Sequence, residues 1–281
     1  MIRSVIAIAL AGAGVLAASA WTRSEQAAVL APSVYASQVV RSGAIRSSTV
    51  ACPAGFVATS GGIFKAAPGT TLLASTPLGL RAYRFTIGNP ATNPAQRVTV
   101  VVACRKIRSA TRQIAFKARQ LTPKRLIVPP GKAAGVTLNC PRGTVPAQPG
   151  ANLGTRALLL RRQSSTLSSV SYGVLNRGGT ARGVRFYGGC LTLARAAGAP
   201  VARLHVATTT FRVPLHPGSQ TVTRRCRPGW FSLASGFSLT NGAVQVTGAA
   251  AVAGKGRWLV TVASDAAVTA DLQLTCGLVA R

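Results

Sequence analysis

Hydrophobic and polar residues alternate along several stretches of this chain. In RVTVVVAC, the residues Val98, Val100, Val102 and Cys104 fall on one face of an extended backbone. The stretch AVTADLQLTC has the same arrangement, with apolar residues and a cysteine at every second position. A period of two indicates a half-buried β-strand whose cysteine points into the core. Beyond the first twenty residues no stretch shows a convincing helical stripe, so the pattern predicts strands.

Six cysteines divide the chain regularly. The gaps between consecutive cysteines are 52, 36, 50, 36 and 50 residues. This alternation indicates a three-fold internal repeat, with a period of 88 (140 − 52) or 86 (226 − 140) residues. Six cysteines can pair in many ways, and the repeat favours one disulfide in each unit. The predicted disulfides are Cys52–Cys104, Cys140–Cys190 and Cys226–Cys276.

Other landmarks recur with the cysteines. Each first cysteine is followed three positions later by a glycine, in CPAG, CPRG and CRPG. In CPAG we expect a structural corner, because Gly55 allows the backbone to turn toward the next strand. An aromatic residue precedes each second cysteine by 18 or 19 positions, and we expect Phe85, Tyr172 and Trp258 at equivalent core positions. The last cysteine is near the end of the sequence, so we place unit boundaries shortly after the other second cysteines. The predicted units are residues 21–108, 109–197 and 198–281.

Turn sequences separate the alternating stretches. GNPATNP, NRGG, PPGK, HPGS and TNG are rich in the residues that favour turns. About seven short strands in each unit are typical of a β-sandwich of immunoglobulin-like size. The sequence therefore predicts an all-β fold of three tandem sandwich units, each held by one disulfide.

The first twenty residues have a different character. MIRSVIAIALAGAGVLAASA has an early arginine, an apolar run and a small-residue ASA site, which together predict a secretory signal peptide over residues 1–20. The apolar run is short for a membrane span, which needs about 20 apolar residues. We expect a mature chain without a transmembrane anchor, secreted to the extracellular side and associated with the cell wall. Export also supplies the oxidising compartment that disulfides need.

The cysteine-bracketed pattern resembles a known kind of module. VTLNCPRG and STVACPAG, followed by an aromatic strand, GN and a terminal VVVAC, are similar to the tandem β modules of secreted actinobacterial proteins. That resemblance covers residues from about 35 to 281. It implies a disulfide-clipped β fold and export, and it transfers no catalytic or binding residue.

The charge is extreme for a folded protein. Lys and Arg number 33 against three acids, Glu25, Asp265 and Asp271, for a net charge of +30. Such an excess predicts attraction to polyanions, among them nucleic acid, phosphate-bearing wall polymers and acidic lipid surfaces. The densest run gives the candidate polyanion-binding residues Arg105, Lys106, Arg108, Arg112, Lys117, Arg119, Lys124 and Arg125. The alternative is a solvated basic surface that reflects arginine-rich composition and binds nothing.

Catalytic chemistry has little support. Residues 26–204 contain no Asp, Glu or His, and the histidines His205 and His216 have no neighbouring acid to orient them. General acid–base catalysis needs such groups. The sequence contains no CxxC motif of the kind that binds zinc. We therefore expect no enzyme activity, no cofactor and no metal. Aromatic residues do not alternate with basic ones as in single-strand binding platforms, so we expect no sequence-specific reading of nucleic acid.

These observations predict an exported, non-enzymatic structural or adhesive protein of the cell envelope. The alternative is an electrostatic binder of extracellular DNA or of an anionic cell-wall polysaccharide. The expected partner in either case is a non-specific polyanion.

Overall fold

A computed structural model of the chain describes residues 28–66, 69–108, 114–195, 197, 202–216, 218–239, 244–252, 257–264 and 268–280. Some strand residues within these ranges are described by their backbone only. The predicted signal peptide, Glu25, Arg112 and Asp265 lie outside the described residues.

Every regular element in the described ranges is a β-strand, as the alternation predicted. The first segment forms β1 (Ala28–Leu30), β2 (Ser33–Val40), β3 (Ile45–Ala51), β4 (Val57–Lys65), β5 (Thr71–Leu78), β6 (Ala82–Gly88) and β7 (Gln96–Arg108). The second segment forms β8 (Ile114–Gln120), β9 (Lys124–Val128), β10 (Ala133–Asn139), β11 (Val145–Asn152), β12 (Leu158–Ser165), β13 (Ser169–Asn176) and β14 (Arg182–Arg195). The third segment forms β15 (Arg203–Leu215), β16 (Gly218–Arg225), β17 (Phe231–Leu239), β18 (Val244–Val252), β19 (Arg257–Ser264) and β20 (Val268–Ala280).

The alternating stretches are buried on the face that the sequence predicted. In β7, Val98, Val100, Val102 and Cys104 are fully buried. In β20, Ala270 and its neighbours at every second position are buried as well. In β7 the intervening residues Val101, Ala103 and Arg105 are buried as well. This part of β7 is therefore buried on both faces and is not half-buried as the sequence predicted.

Strands pair by one scheme in all three segments. A long last strand has early strands on one side: β1 and β2 pair with β7, β8 and β9 pair with β14, and β15 pairs with β20. On its other side it pairs with a middle strand, which is β4, β11 or β17. The other strands form an antiparallel triplet: β3–β6–β5, β10–β13–β12 and β16–β19–β18. In each segment one hydrophobic cluster contains side chains from both groups, among them Val50 with Val100, Val170 with Phe186, and Val222 with Leu274.

The three predicted disulfides are confirmed. Cys52–Cys104, Cys140–Cys190 and Cys226–Cys276 have Cα–Cα distances of 5.7, 5.7 and 5.8 Å. The first cysteine of each pair directly follows β3, β10 or β16, and the second lies within β7, β14 or β20. Each disulfide therefore joins the two sheet groups of its segment.

The glycine after each first cysteine makes the turn that the sequence predicted. Gly55, Gly143 and Gly229 have φ of +77°, +76° and +79°, a left-handed conformation that glycine adopts without steric cost. A backbone hydrogen bond of 3.0–3.2 Å closes each turn. The CPAG motif and its counterparts are therefore structural corners.

Sheets run across the predicted unit boundaries. β5 of the first segment pairs with β11 of the second, which makes one seven-stranded sheet. β12 of the second segment pairs with β17 of the third in a six-stranded sheet. β18 lies beside β4, with Cα atoms within 8 Å, and so brings the third segment back to the first. The segments are thus joined through shared sheets. In a tandem of separate units, each unit would have its own sheets.

A hydrophobic cluster lies where the three segments meet. It includes Ile107, Leu193 and Val279, each three residues after a second cysteine. It also includes one residue from each segment five positions after a first cysteine: Val57, Val145 and Phe231. Burying apolar side chains from all three segments in one place stabilises their association.

The three predicted core aromatics are not at one equivalent position. Phe85 and Tyr172 are buried, as expected. Each lies opposite a residue four positions before the first cysteine of its segment. Trp258 instead lies opposite Arg224, two positions before Cys226. The aromatic of the third segment is therefore shifted by two residues along the ladder, and its side chain is outside the described part.

Candidate functional site

The described part of the chain contains few side chains of the kinds used in acid–base catalysis, namely His205, His216 and Asp271. Groups of three or more His, Cys, Asp or Glu side chains that could hold a metal are absent from these residues. His205 is exposed on β15, and His216 follows that strand. Asp271, the one described carboxylate residue, is hydrogen-bonded to Arg212 with an Nε–Oδ1 distance of 3.1 Å.

Arg105, which the sequence placed in the polyanion-binding run, is buried. Its side chain is 1% exposed. Its Nε donates to the Ser232 carbonyl at 2.9 Å, and its Nη2 donates to the Ser232 hydroxyl at 2.8 Å. Its Nη1 donates to the Cys104 carbonyl at 2.8 Å. Burial lowers the pKa of this guanidinium to about 10. The residue ties β7 to β17 and does not contribute to a basic surface.

The register explains this position. Arg105 lies opposite Val57, just as Leu191 lies opposite Val145 one residue after Cys190. Leu191 is fully buried in the cluster where the segments meet. A basic residue in the first segment thus takes an interior position that leucine takes in the second. Sequence reasoning missed this because it counted Arg105 by its charge.

The remaining members of the run do not form one face. Lys106 is exposed and packs over the Phe56 ring, with Nζ 5.5 Å from the ring centroid. The Arg108 side chain lies outside the described part. Lys117, Arg119 and Lys124 are exposed and pair with Thr192, Cys190 and Phe186, which are on one face of β14. Arg125 pairs with Arg185, on the opposite face. A contiguous sequence run is thus divided between two sheet surfaces.

Basic residues are spread over several surfaces. The outer face of the seven-stranded sheet carries Arg84, Arg125 and Arg185, from the first two segments. Arg162 and Arg212 lie on the outer face of the six-stranded sheet. Arginines of the three segments therefore do not share a single sheet face.

Two arginines stand directly opposite each other on the seven-stranded sheet. Across β11, β14 and β9, the register aligns Asn152, Arg185 and Arg125 in one row. All three side chains are exposed. They line an open cleft of about 270 Å³ together with Gly183 and Val184. We call Arg125 and Arg185 the arginine pair.

A second cleft, of about 120 Å³, lies at the third disulfide. Its walls include Phe211, Trp230, Arg225 and Arg227, above Cys226 and Cys276. Arg224 covers the Phe211 ring, with Cζ 5.1 Å from the ring centroid. This cleft combines aromatic surface with positive charge.

No family model and no curated protein matches this chain. Among the described residues, no helix is long and apolar enough to cross a membrane.

Proposed function

We propose that this is an exported, non-enzymatic protein of the cell envelope that adheres to an anionic polymer through its exposed basic residues. It consists of three related β-sandwich units, each clipped by a disulfide. The observation that carries this proposal is the lack of internal counter-charge. Within the described residues the single ion pair joins Arg212 to Asp271, so the other exposed basic side chains depend on external anions for neutralisation.

The distribution of charge favours a polymer network as the partner. A flat anionic surface contacts one face of a protein at a time. A network of polymer chains surrounds the protein and can neutralise charge on several faces at once. Because basic residues lie on the outer faces of two sheets, we assign an anionic wall polymer as the partner, with extracellular DNA as the alternative polyanion. Arginine suits such contacts because its guanidinium donates two parallel hydrogen bonds to phosphate.

The disulfides support an extracellular location. Disulfides persist in oxidising compartments and are rare in the cytosol. Three of them in one chain, with no free cysteine, fit a protein that works outside the cell. They also stabilise a fold whose like charges repel each other.

The test is retention on the isolated cell-wall fraction and on DNA as salt is raised from 50 mM to 1 M. One variant combines Lys117→Ser with Arg119→Ser on β8, and a matched variant combines Arg46→Ser with Arg84→Ser on β3 and β6. Both variants remove two exposed charges. Because binding is non-specific, both should weaken retention to a similar extent.

Each other outcome has a clear meaning. Loss of retention in one variant alone would contradict adhesion through dispersed charge. Retention that is unaffected by salt and by both variants would refute the electrostatic proposal. Tighter retention on wall than on DNA at equal salt assigns the wall polymer, and the reverse assigns DNA.

A further inference from the structure

The arginine pair occupies a position that the chain fills differently in its three segments. The outward residue five positions before the second cysteine is Thr99, Arg185 or Asp271. Each pairs across the ladder with a residue of the neighbouring strand. Three different solutions at one structural position allow the segments to be compared directly.

Two of the three positions are internally satisfied. In the first segment, the Thr99 and Ser37 hydroxyls are hydrogen-bonded at 2.8 Å. In the third segment, Arg212 donates to Asp271 at 3.1 Å. In the second segment, the residue that corresponds to Asp271 is Arg185, so Arg125 faces a second cation.

Like charges directly opposite each other destabilise a sheet, because their Cβ atoms are only about 4.5–5.5 Å apart. A carboxylate within reach would relieve this repulsion, as Asp271 does for Arg212. Residues 26–264 contain neither Asp nor Glu, so no such group is available near the pair in sequence. Asp271 itself is engaged on the other sheet. An external anion between the two guanidinium groups would take the role that Asp271 has in the third segment.

The surroundings of the pair leave room for such an anion. A Cβ built on Gly183 would lie 3.5 Å from Nε and Nη2 of Arg125. The Arg125 guanidinium therefore extends over a residue without a side chain, two positions from Arg185 on the same face. Asn152 completes the row with an amide that can donate a hydrogen bond. The three side chains line the same open cleft.

We propose that Arg125, Arg185 and Asn152 form a discrete binding site for the phosphate group of a phosphate ester. Two guanidinium groups match the charge of a phosphate monoester dianion, and their paired donors match its oxygens. The cleft opens to solvent, so the rest of the ester can extend outward. This inference deepens the proposed adhesion by naming the anion that one site recognises.

The experiment measures the unfolding temperature of the full chain against inorganic phosphate, with chloride used to hold ionic strength constant. A ligand that binds only the folded state raises this temperature by mass action. Arg185→Asp copies the third segment, and it should weaken phosphate binding at least about tenfold by replacing a charged donor with a carboxylate. A second variant, Arg125→Ser with Arg185→Thr, copies the first segment and should also lose the response.

Two controls make the result specific. Arg212→Ser removes an arginine from the equivalent position in the third segment, and it should respond to phosphate as the parent does. Arg185→Ser removes the same charge as Arg185→Asp without supplying a carboxylate to Arg125. In phosphate-free buffer, Arg185→Asp should therefore unfold at a higher temperature than Arg185→Ser.

The ester class is distinguished by two further probes. A response to glycerol 3-phosphate but not to dimethyl phosphate assigns a terminal monoester, and a response to both assigns phosphodiesters of a polymer backbone. The site is overturned if the parent does not respond to phosphate or if Arg185→Asp responds as the parent does. An equal response to sulfate overturns the assignment to phosphate. If the parent protein binds phosphate but is not retained on the cell-wall fraction, the proposed adhesion is refuted and the phosphate site stands.

Discussion

Replacing Arg105 tests whether a buried cation holds the first and third segments together. In the structure its guanidinium makes three hydrogen bonds of 2.8–2.9 Å, two of them to Ser232 in the third segment. Arg105→Met keeps a long unbranched side chain and removes every donor. The buried carbonyl and hydroxyl of Ser232 would then lack these donors.

Two opposing terms set the size of the effect. Three hydrogen bonds from a charged donor are worth about 1.5–3 kcal/mol each, or roughly 4–9 kcal/mol together. Burial lowers the Arg105 pKa from its ordinary value to about 10. That shift corresponds to about 3 kcal/mol against the charged form, and the methionine variant is relieved of this cost. The hydrogen bonds outweigh it, so we expect a net destabilisation of about 3 kcal/mol.

The assay is thermal and urea unfolding of the parent and of Arg105→Met. A loss of about 3 kcal/mol lowers the midpoint by roughly 6–12 °C in a protein of this size. Lys106→Met is the matched control, since Lys106 is the exposed neighbour and carries the same charge. It should change the stability by less than about 0.5 kcal/mol. A methionine variant at position 105 that unfolds at the parent's midpoint would refute the structural role of this residue.

Three further predictions concern the core. Burial raises the pKa of Tyr83 and of Tyr172 above 10, so above pH 10 the unfolded chain loses phenol protons that the folded chain keeps. Stability should then fall as pH rises, by about 1.4 kcal/mol per pH unit for each tyrosine. Urea titrations of Tyr172→Phe at several pH values should show a shallower fall than those of the parent. An unchanged slope would contradict the burial of Tyr172. Removing the Cys140–Cys190 disulfide by substituting both cysteines with serine should lower the free energy of unfolding by about 2–5 kcal/mol. Calorimetry that finds no loss of stability would exclude a stabilising role for this disulfide. Phe186→Ala should reduce the free energy of unfolding by about 3–5 kcal/mol. Because the three segments share sheets, they should still unfold in one transition, at a lower temperature. Separate transitions in the calorimetric trace would show that the segments unfold independently.

The sequence predicted features that depend on residues close together or regularly spaced. The alternation in β7 and β20, the three disulfides and the left-handed glycine turns all follow from local rules. Each needs only a period of two, a repeated cysteine spacing or a residue that tolerates positive φ. The structure confirmed them for these reasons.

Long-range pairing could not be predicted in the same way. Nothing in β5 or β11 marks them as neighbours, because each reads as an ordinary strand of its own segment. Trp258 shows the same limit, since its distance from Cys276 suggested a position that the ladder register shifts by two residues. Strand register depends on contacts between segments that are far apart in sequence.

The candidate site shows where charge counting fails. Arg105 and Lys106 are adjacent and both basic, yet Arg105 is buried because its face of β7 lies against the third segment, where Ser232 accepts its hydrogen bonds. Arg125 and Arg185 are 60 residues apart and become neighbours only through the β9–β14 pairing. Comparing outward residues at a fixed distance from each second cysteine would have singled out Arg185, since Thr99 and Asp271 occupy the corresponding positions.

Adhesion through uncompensated positive charge is tested most directly by the salt dependence of binding to a uniform phosphodiester polymer. Fluorescence anisotropy with labelled single-stranded DNA between 50 and 500 mM salt measures the binding constant at each concentration. Counterion release predicts a linear fall of log K with log salt, with a slope of about −0.7 for each phosphate neutralised. A binding constant that does not change over this range, or equal binding to an uncharged polymer, would contradict the proposed function.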